Sequence, residues 1–285
     1  MKRTRQRGVA LITVLLVMAL LTLLVASMLR SHHGMLGGVR QQIEASHLLQ
    51  LAHAGERQAL AQLKQQAAAL LQVTHGGQPW AQTRSLALGQ GQVRLRLEDL
   101  SGRFNLAALT KRKALDPVLL ERWQRLCRAL QIEAPVLEPL AGQPMLDPSQ
   151  LRTLPGVDAE VMARLRPWVV ALPPEAGLNI NTASARVLES LEGVERATAQ
   201  ALAAERGDEG HTSVQRFLAQ PQLIGLGIDS HGLAVTSRWF RLQVRAEQGG
   251  NRIYLYSDLE IDLNTHKVRV LRRVYSALPE QLPDE

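Results

Sequence analysis

The sequence predicts a mixed α/β (α+β) protein with a long N-terminal helix, a small antiparallel sheet and a large all-α domain inserted between two of the strands. Three patterns support this prediction. Residues 9–29 form an apolar run, and residues 91–97 and the part after residue 239 alternate apolar with polar side chains. Between those strands, residues 106–234 have the pattern of short helices separated by Pro and Gly.

The chain begins with a basic head, in which Lys and Arg stand at positions 2, 3, 5 and 7, followed by the apolar run. The run contains no Asp, Glu, Lys or Arg and approaches the roughly 20 apolar residues that span a bilayer as a helix. The apolar core of a secretory signal peptide is only about 7 to 15 residues long. The apolar run at residues 9–29 is therefore too long for such a core. Because positive charge stays on the cytoplasmic side, we expect a single span with a large periplasmic or extracellular body.

The next segment, residues 30–72, lacks Pro and repeats Leu and Ala at helical spacing, so the membrane helix is expected to continue as an amphipathic stem. It contains His32, His33, His47 and His53. These histidines do not have a recognisable metal-ligand spacing, and we expect them to be solvated or packed against neighbours.

Strand periodicity frames the middle of the chain. After a Gly/Pro break at residues 76–79, residues 91–97 alternate Val or Leu with Arg or Gln, as a half-buried strand does. A C-terminal meander is predicted from polar turns that separate three further strands, at residues 239–246, 252–259 and 268–274. Together these strands predict one α/β body with a helical domain spliced into its sheet.

Two segments of the helical region, LRTLPGVDAEVMARLRPWV and LESLEGVERATAQALAAER, are internally related. Each places a Gly-Val turn, Gly156-Val157 or Gly193-Val194, between two helices in the helix-hairpin-helix manner. The second copy, with its flanking NINTAS and TSVQRFL, resembles the DNA-receptor modules of competence systems. The alternative function is therefore a membrane-anchored helix-hairpin-helix DNA receptor.

The residue types at these turns argue against DNA. A helix-hairpin-helix binds phosphate through backbone N–H groups at a helix N-terminus, and a second Gly allows the close approach. Here that position is Asp158 in one copy and Glu195 in the other. A carboxylate caps a helix N-terminus but repels phosphate, so we expect a protein-interaction domain and no nucleic acid partner.

The sequence predicts no enzyme, since it contains no P-loop, HExxH, G-x-S-x-G or paired CxxC motif. The single Cys127 lies in a helical pattern and is expected to be a buried apolar residue. The net charge of +7 falls to +3 when the four charges of the head are subtracted, so charge alone does not indicate nucleic acid.

Three acidic residues near the C-terminus, Asp258, Glu260 and Asp262, alternate in the pattern of a strand and are weak candidates for a metal site. Few other oxygen donors are near them in the sequence, although Ca²⁺ takes six to eight oxygen ligands. We therefore prefer an exposed acidic strand edge as the explanation and predict no metal.

The N-terminal sequence RQRGVALITVLLVMALL resembles a type IV prepilin leader. The resemblance implies that prepilin peptidase cuts between Gly8 and Val9 and that Val9 becomes the N-methylated first residue of the mature chain. Prepilins usually carry Phe first and Glu fifth. The fifth position here is Thr13, and the missing carboxylate is a feature of the K-type minor pseudopilins of type II secretion systems.

Three further segments, EDLSGRFNLAAL, LNINTASARVL and RWFRLQVRAEQGGNRIYLYSDLE, resemble signatures of the general secretion pathway protein K family in the same order. The resemblance implies a minor pseudopilin at the tip of the type II secretion pseudopilus, which helps to start assembly and the export of folded exoproteins. It also implies a pseudopilin fold and an organisation in six parts: leader 1–8, membrane helix 9–29, helical stem 30–75, first part of the pseudopilin domain 76–103, inserted helical domain 104–235, and closing strands 236–285.

The same resemblance implies partners and a location. The partners are the I-type and J-type minor pseudopilins, the other pseudopilins, the inner-membrane assembly platform and secreted exoproteins. The location is the bacterial inner membrane, with a cytoplasmic N-terminus and a periplasmic body. K-type proteins also bind calcium through an acidic segment, but the corresponding part here is shortened to IEAPVLEPLAGQPMLD. Glu133, Glu138 and Asp147 therefore lack the family pattern. We expect no cofactor, and calcium stays an alternative that only the family resemblance implies.

Overall fold

The computed structural model describes the backbone of residues 5–207 and 209–279, and the side chains of residues 11–28, 42–207 and 209–279. The chain divides into two compact units, Met1–Gln50 and Leu51–Glu285. This boundary falls inside the first helix, and the six-part organisation expected above remains a prediction.

The first helix, α1, runs without interruption over Arg5–Leu70. Its part in the first unit includes Leu11–Met28, a stretch with a mean hydropathy of 2.7 in which none of the side chains is buried. This stretch is long and apolar enough to cross a membrane, as the apolar run predicts. The helix continues through the predicted stem and ends at Leu70, five residues before the predicted boundary.

The second unit contains a five-stranded antiparallel sheet in the order β1-β2-β7-β8-β9. The bounds of its strands are β1 Arg84–Leu88, β2 Gly91–Asp99, β7 Trp239–Gln248, β8 Asn251–Ile261 and β9 Val268–Ser276. Four of these strands lie where alternation predicts them. Sequence analysis did not find β1, because the strand has only five residues and only Leu86 and Leu88 pack on the core, so its alternation is too short to stand out.

The part of α1 that belongs to the second unit, residues 51–70, packs on one face of this sheet. The core between them contains Ala52, Ala59 and Leu63 from the helix and the inward residues of β2, β7 and β8. A glycine is needed at the closest approach, because a Cβ atom on Gly55 would lie 2.5 Å from Cγ1 of Val93. Helix and sheet thus form the α/β body that the sequence predicts.

The insertion between β2 and β7 is built from short elements. They are β3 Phe104–Asn105, α2 Leu106–Thr110, α3 Pro117–Ala129, α4 Ala159–Leu165, β4 Val169–Val170, β5 Leu178–Asn179, α5 Ala185–Leu188, α6 Arg196–Ala204, α7 Val214–Leu218 and β6 Leu233–Ala234. Two parallel strand pairs, β3 with β4 and β5 with β6, mean that the insertion is not purely helical. Strands of two residues are too short to show a periodicity in the sequence.

The insertion has two hydrophobic cores. The first surrounds Trp123 and Leu126 and draws its residues from positions 104–169. The second surrounds Leu191 and Phe217 and draws its residues from positions 178–223. Cys127 is fully buried in the first core, and burial raises the pKa of its thiol to about 12, in agreement with the prediction of an apolar packing role.

Candidate functional site: signature motifs and assembly surfaces

The predicted processing site lies at the start of α1. Gly8 and Val9 are in the helical backbone, but side chains are described only from residue 11 onward, so cleavage and methylation there stay predictions. Thr13 is exposed on the apolar helix together with its neighbours. No carboxylate lies in Leu11–Met28, so this segment presents an uncharged apolar surface to its surroundings.

The first signature motif centres on Asp99, the last residue of β2, which is only 4% exposed. Its Oδ1 accepts a hydrogen bond from the backbone N–H of Ser101 at 2.8 Å. Its Oδ2 accepts from Nδ2 of Asn179 and from Oγ1 of Thr182, both at 2.7 Å. Because Asn179 and Thr182 belong to the second motif, LNINTAS, the buried carboxylate joins the two motifs.

This polar cluster extends to the end of α1. Asn179 Nδ2 also donates to the carbonyl oxygen of Thr74 at 3.1 Å, and the Thr74 hydroxyl accepts from the backbone N–H of Ser237 at 2.9 Å. Ser237 Oγ in turn contacts Ser101 Oγ at 2.9 Å. The motif residues therefore fasten the insertion to the sheet and to the segment that follows the long helix.

Burial raises the pKa of the Asp99 carboxyl above its ordinary value, although hydrogen bonds from Ser237, Thr182, Asn179 and the Ser101 backbone act in the opposite direction. Among the described residues, no cation contributes to this balance. The arrangement is that of a buried structural polar cluster whose members satisfy one another.

Gly102 and Asn105 complete the first motif. A Cβ atom on Gly102 would lie 2.8 Å from the carbonyl oxygen of Thr182, so only glycine allows the two motifs to approach this closely. Asn105 caps α2 through the N–H of Ala107. The same side chain accepts from the N–H of Leu172 and donates to the carbonyl oxygen of Ala176. These two bonds tie the motif to the connection between β4 and β5.

A second buried link joins the two cores of the insertion. Arg122 on α3, which is 2% exposed, donates from Nε and Nη2 to the two carboxylate oxygens of Glu192 at 2.9 and 3.0 Å. It also donates to the carbonyl oxygens of His231 and Asp229, both at 2.6 Å. Sequence analysis did not single out this arginine. The available signal was its position among the apolar residues of α3, three residues after Leu119, where a solvated charge is not expected.

The predicted Gly-Val turns both form. Gly156 and Gly193 have φ values of +79° and +68°, in the left-handed region that glycine favours, and the following Val157 and Val194 are buried. The helices that precede these turns are short: Pro148–Thr153 is a 3₁₀ helix, and α5 has four residues.

The carboxylates after these turns differ in what they do. Asp158 caps α4, because its side chain accepts from the N–H of Val161 at 2.8 Å. Glu195 stands at the N-cap of α6 but forms no capping hydrogen bond with its side chain. In the first copy, therefore, a carboxylate occupies the amide group that a phosphate would need.

The interpretation of Asp258, Glu260 and Asp262 as an acidic strand edge is wrong. The strand β8 is flanked by β7 and β9, and Asp262 lies after its end. Each carboxylate is paired with an arginine, at 2.7 Å for Asp258 with Arg241, 2.6 Å for Glu260 with Arg238 and 2.9 Å for Asp262 with Arg269. Sequence alternation shows which residues share a face of a strand. Whether the strand itself lies at the edge of the sheet depends on strand order, which only the tertiary fold decides.

Within the described part of the chain, no three His, Cys, Asp or Glu side chains form a group that could hold a metal ion. In the shortened acidic segment, Asp147 caps the Pro148–Thr153 helix and pairs with Arg272 of β9 at 2.8 Å. His53 contacts Glu56 and the Tyr275 hydroxyl, which is a packed role of the kind predicted for it.

Known proteins that resemble this chain match the inserted domain in two separate segments. Two family models described as type II secretion system protein K match residues 133–174 and 178–236, which correspond to parts of the two cores of the insertion. A curated type II secretion system protein K from Klebsiella pneumoniae is 30% identical over 263 residues, which covers 77% of this chain and 81% of the relative. The chain belongs to the type II secretion system protein K family.

Other family members extend the match over almost the whole chain. The protein K of Pseudomonas aeruginosa is 29% identical over 315 residues, 95% of this chain and 93% of its own length. Among solved structures, a chain of the GspK-GspI-GspJ complex from enterotoxigenic Escherichia coli matches with a TM-score of 0.71 and 25% identity, over 84% of this chain and 99% of that one.

These matches confirm the resemblance stated above and the mixed α/β fold. A protein K family member is a component of a secretion system, and its N-terminal apolar helix suits a membrane anchor. The family assignment therefore favours the minor pseudopilin over the competence-type DNA receptor.

Proposed function

We propose that this protein K caps the tip of a type II secretion pseudopilus, where it helps to start filament assembly and the export of folded exoproteins across the outer membrane. It works by assembly, without catalysis and without a cofactor.

The strongest support is the position of the inserted domain. β2 and β7 are hydrogen-bonded neighbours in the sheet, yet the two cores of the insertion lie between them in the sequence. Such a bulky head is difficult to repeat along a thin, closely packed filament, whereas at the end of a filament it has room.

Thr13 gives independent support. The carboxylate at the fifth position of a prepilin is thought to neutralise the N-terminal amine of a neighbouring subunit, and an unpaired charge inside a membrane is costly. A subunit that carries Thr at this position suits a place where no such neighbour has to be neutralised, which is the tip.

The partners in this proposal are the I-type and J-type minor pseudopilins, since a relative of this chain was solved as a GspK-GspI-GspJ complex. The other pseudopilins, the inner-membrane assembly platform and the secreted proteins follow from the same role. Prepilin peptidase is the processing enzyme. The proposed location is the bacterial inner membrane, with α1 as a single span, a cytoplasmic N-terminus and a periplasmic body.

Labelling of the assembled filament tests the tip position. Immunogold particles against the inserted domain should appear at one end of each pseudopilus, and overexpression should shorten the filaments or increase their number. Labels spread evenly along the shaft would contradict the tip position while leaving the pseudopilin assignment intact.

A further inference from the structure

The chain turns back onto the sheet where β9 ends. The backbone N–H of Leu278 donates to Oγ of Ser276, the last residue of β9, at 3.1 Å, in a turn of the kind that Ser hydroxyls form. Leu278 and Pro279 then line a groove of about 800 Å³ on the face of the sheet opposite α1. Residues 280–285, with the sequence EQLPDE, therefore continue from a point in the lining of this groove.

The groove separates the insertion from β9. One wall is the insertion, at residues 146–152 and 159–173, and the other is β9 with the residues that follow it. Among the described residues, an ion pair of 2.8 Å between Asp147 and Arg272 joins the two walls. Both side chains are largely exposed, so this pair adds little stability. An occupant that contacts both walls would attach the insertion more firmly to the edge of the sheet.

Exposed apolar side chains stand on both walls. Leu146 is 81% exposed, Leu271 is 56% exposed and Leu278 is 74% exposed, and all three line the groove. Leu282 follows Pro279 by three residues, which limits its distance from Pro279 to about 10 Å. Because burial of apolar surface is favourable, the exposed leucines are a suitable site for the side chain of Leu282.

The insertion wall also carries a cation that is available to a ligand. Arg152 is exposed, and among the described residues it forms no hydrogen bond or ion pair. The other arginines of the lining already have partners. Asp284 and Glu285 follow Pro279 by five and six residues, so an extended chain carries them up to about 20 Å from it. One free cation suits a short segment with two adjacent carboxylates.

We propose that residues 280–285 bind in this groove and strap β9 to the insertion. Leu282 lies among the exposed leucines, and Asp284 or Glu285 pairs with Arg152. The proposal goes beyond the tip position and does not depend on it.

Continuity of the chain favours this occupant over a second protein. A tethered segment binds intramolecularly, at an effective concentration in about the millimolar range for a short connection. Pro279 and Pro283 also restrict the free segment, so it loses less conformational entropy when it binds. Another protein would have to displace this segment before it could use the groove.

Disulfide trapping in the full-length chain, purified in detergent, tests the placement. Leu146→Cys and Leu282→Cys are introduced together, and mass spectrometry after mild oxidation detects the bond. We expect an intramolecular bond at a yield about tenfold above that of Val136→Cys combined with Leu282→Cys. Val136 is the matched control, because it is an apolar residue of the same insertion, is 64% exposed and does not line the groove. The native Cys127 is fully buried and is not expected to compete.

Alkylation of Leu146→Cys by a maleimide distinguishes stable binding from brief collisions. Removal of residues 280–285 should raise its rate about tenfold and leave the rate at Val136→Cys unchanged. Arg152→Glu in the full-length chain should raise the rate at Leu146→Cys about threefold, as expected for the loss of one exposed ion pair. Equal trapping of the two cysteine pairs, a rate that truncation leaves unchanged, or a bond that forms only between two chains would each overturn the proposal.

Discussion

Asn179 donates a hydrogen bond of 2.7 Å from its Nδ2 atom to Oδ2 of the buried Asp99, across 80 positions of sequence. This contact joins the two motifs that resemble the protein K family. It brings the last residue of β2 against the second core of the insertion. The motifs are therefore one structural joint, which holds the insertion on the sheet.

Replacement of the donor tests this joint. Asn179→Ala should lower the free energy of unfolding by about 2–3 kcal/mol, because it removes a hydrogen bond to a buried carboxylate and leaves Asp99 with fewer donors. Urea unfolding of the full-length chain, followed by tryptophan fluorescence, measures this loss. Asn264→Ala, in the exposed turn after β8, is the control and should change the free energy of unfolding by less than about 0.5 kcal/mol.

A second link joins α1 to β9. Arg273 Nε contacts the two carboxylate oxygens of Glu56 at 2.9 and 3.1 Å, and Glu56 is 2% exposed. Arg273→Ala should lower the free energy of unfolding by about 2 kcal/mol, since it leaves a buried carboxylate without its cation. Arg269→Ala, which breaks the exposed pair with Asp262, should have an effect of less than about 1 kcal/mol. Equal losses would contradict the assignment.

The effect of Arg273→Ala should also depend on pH. Burial would raise the pKa of Glu56, but hydrogen bonds from Arg273 and Ser257 and the charge of Arg273 together hold it below its ordinary value. The stabilisation that the ionised Glu56 carboxylate provides is complete above its pKa in the unfolded chain, about 4.3. It is lost as the pH falls through the lower pKa that Glu56 has in the folded chain. The difference between the original chain and Arg273→Ala should therefore shrink between pH 7 and about pH 3, and a difference that grows would be the contrary result.

The link between the two cores of the insertion depends on Arg122. Arg122→Met keeps the apolar stem but leaves Glu192 and two carbonyl groups without their donor, so we expect a loss of about 3 kcal/mol in the free energy of unfolding. Arg125→Met is the matched control on the same helix, because Arg125 forms only a partly exposed pair with Glu121 at 3.7 Å. Its effect should stay within about 0.5 kcal/mol.

Processing of the N-terminus gives a further prediction. In cells that contain prepilin peptidase, Gly8→Asp should leave an unprocessed precursor in the membrane, because the enzyme needs a small residue before the cleaved bond. Val9→Phe restores the usual first residue of prepilins and should still be cut. Gel mobility and N-terminal sequencing distinguish the two forms. A mature N-terminus near Ser27 would indicate a secretory signal instead.

Binding to duplex DNA should be weak and steeply dependent on salt. Asp158 already occupies the N–H group of Val161 that a phosphate would need, and the mature chain carries little net charge. Fluorescence anisotropy with a labelled duplex at two salt concentrations measures the affinity. Low-micromolar binding at physiological salt that Gly193→Ala abolishes would support the DNA receptor.

Local patterns in the sequence determined much of this protein. A run of apolar residues predicts a membrane-spanning helix because side chains that face the lipid on all sides of the helix must be apolar. Alternation over residues 91–97 and 239–274 records strands because successive side chains point to opposite faces. The Gly-Val turns were also predictable, since Gly156 and Gly193 need a backbone conformation that glycine favours.

Only the tertiary structure decided which distant residues meet. Nothing in the sequence indicates that Asp99 pairs with Asn179, or Arg122 with Glu192. The distance between the members of each pair depends on the path of the whole insertion. Whether Asp258 lies at a sheet edge likewise depends on strand order, since β9 adds beside β8 and each carboxylate takes an arginine partner. The periodicity of apolar residues depends only on the surroundings of one helix or strand. A contact between distant residues also requires that two such elements be placed next to each other in space.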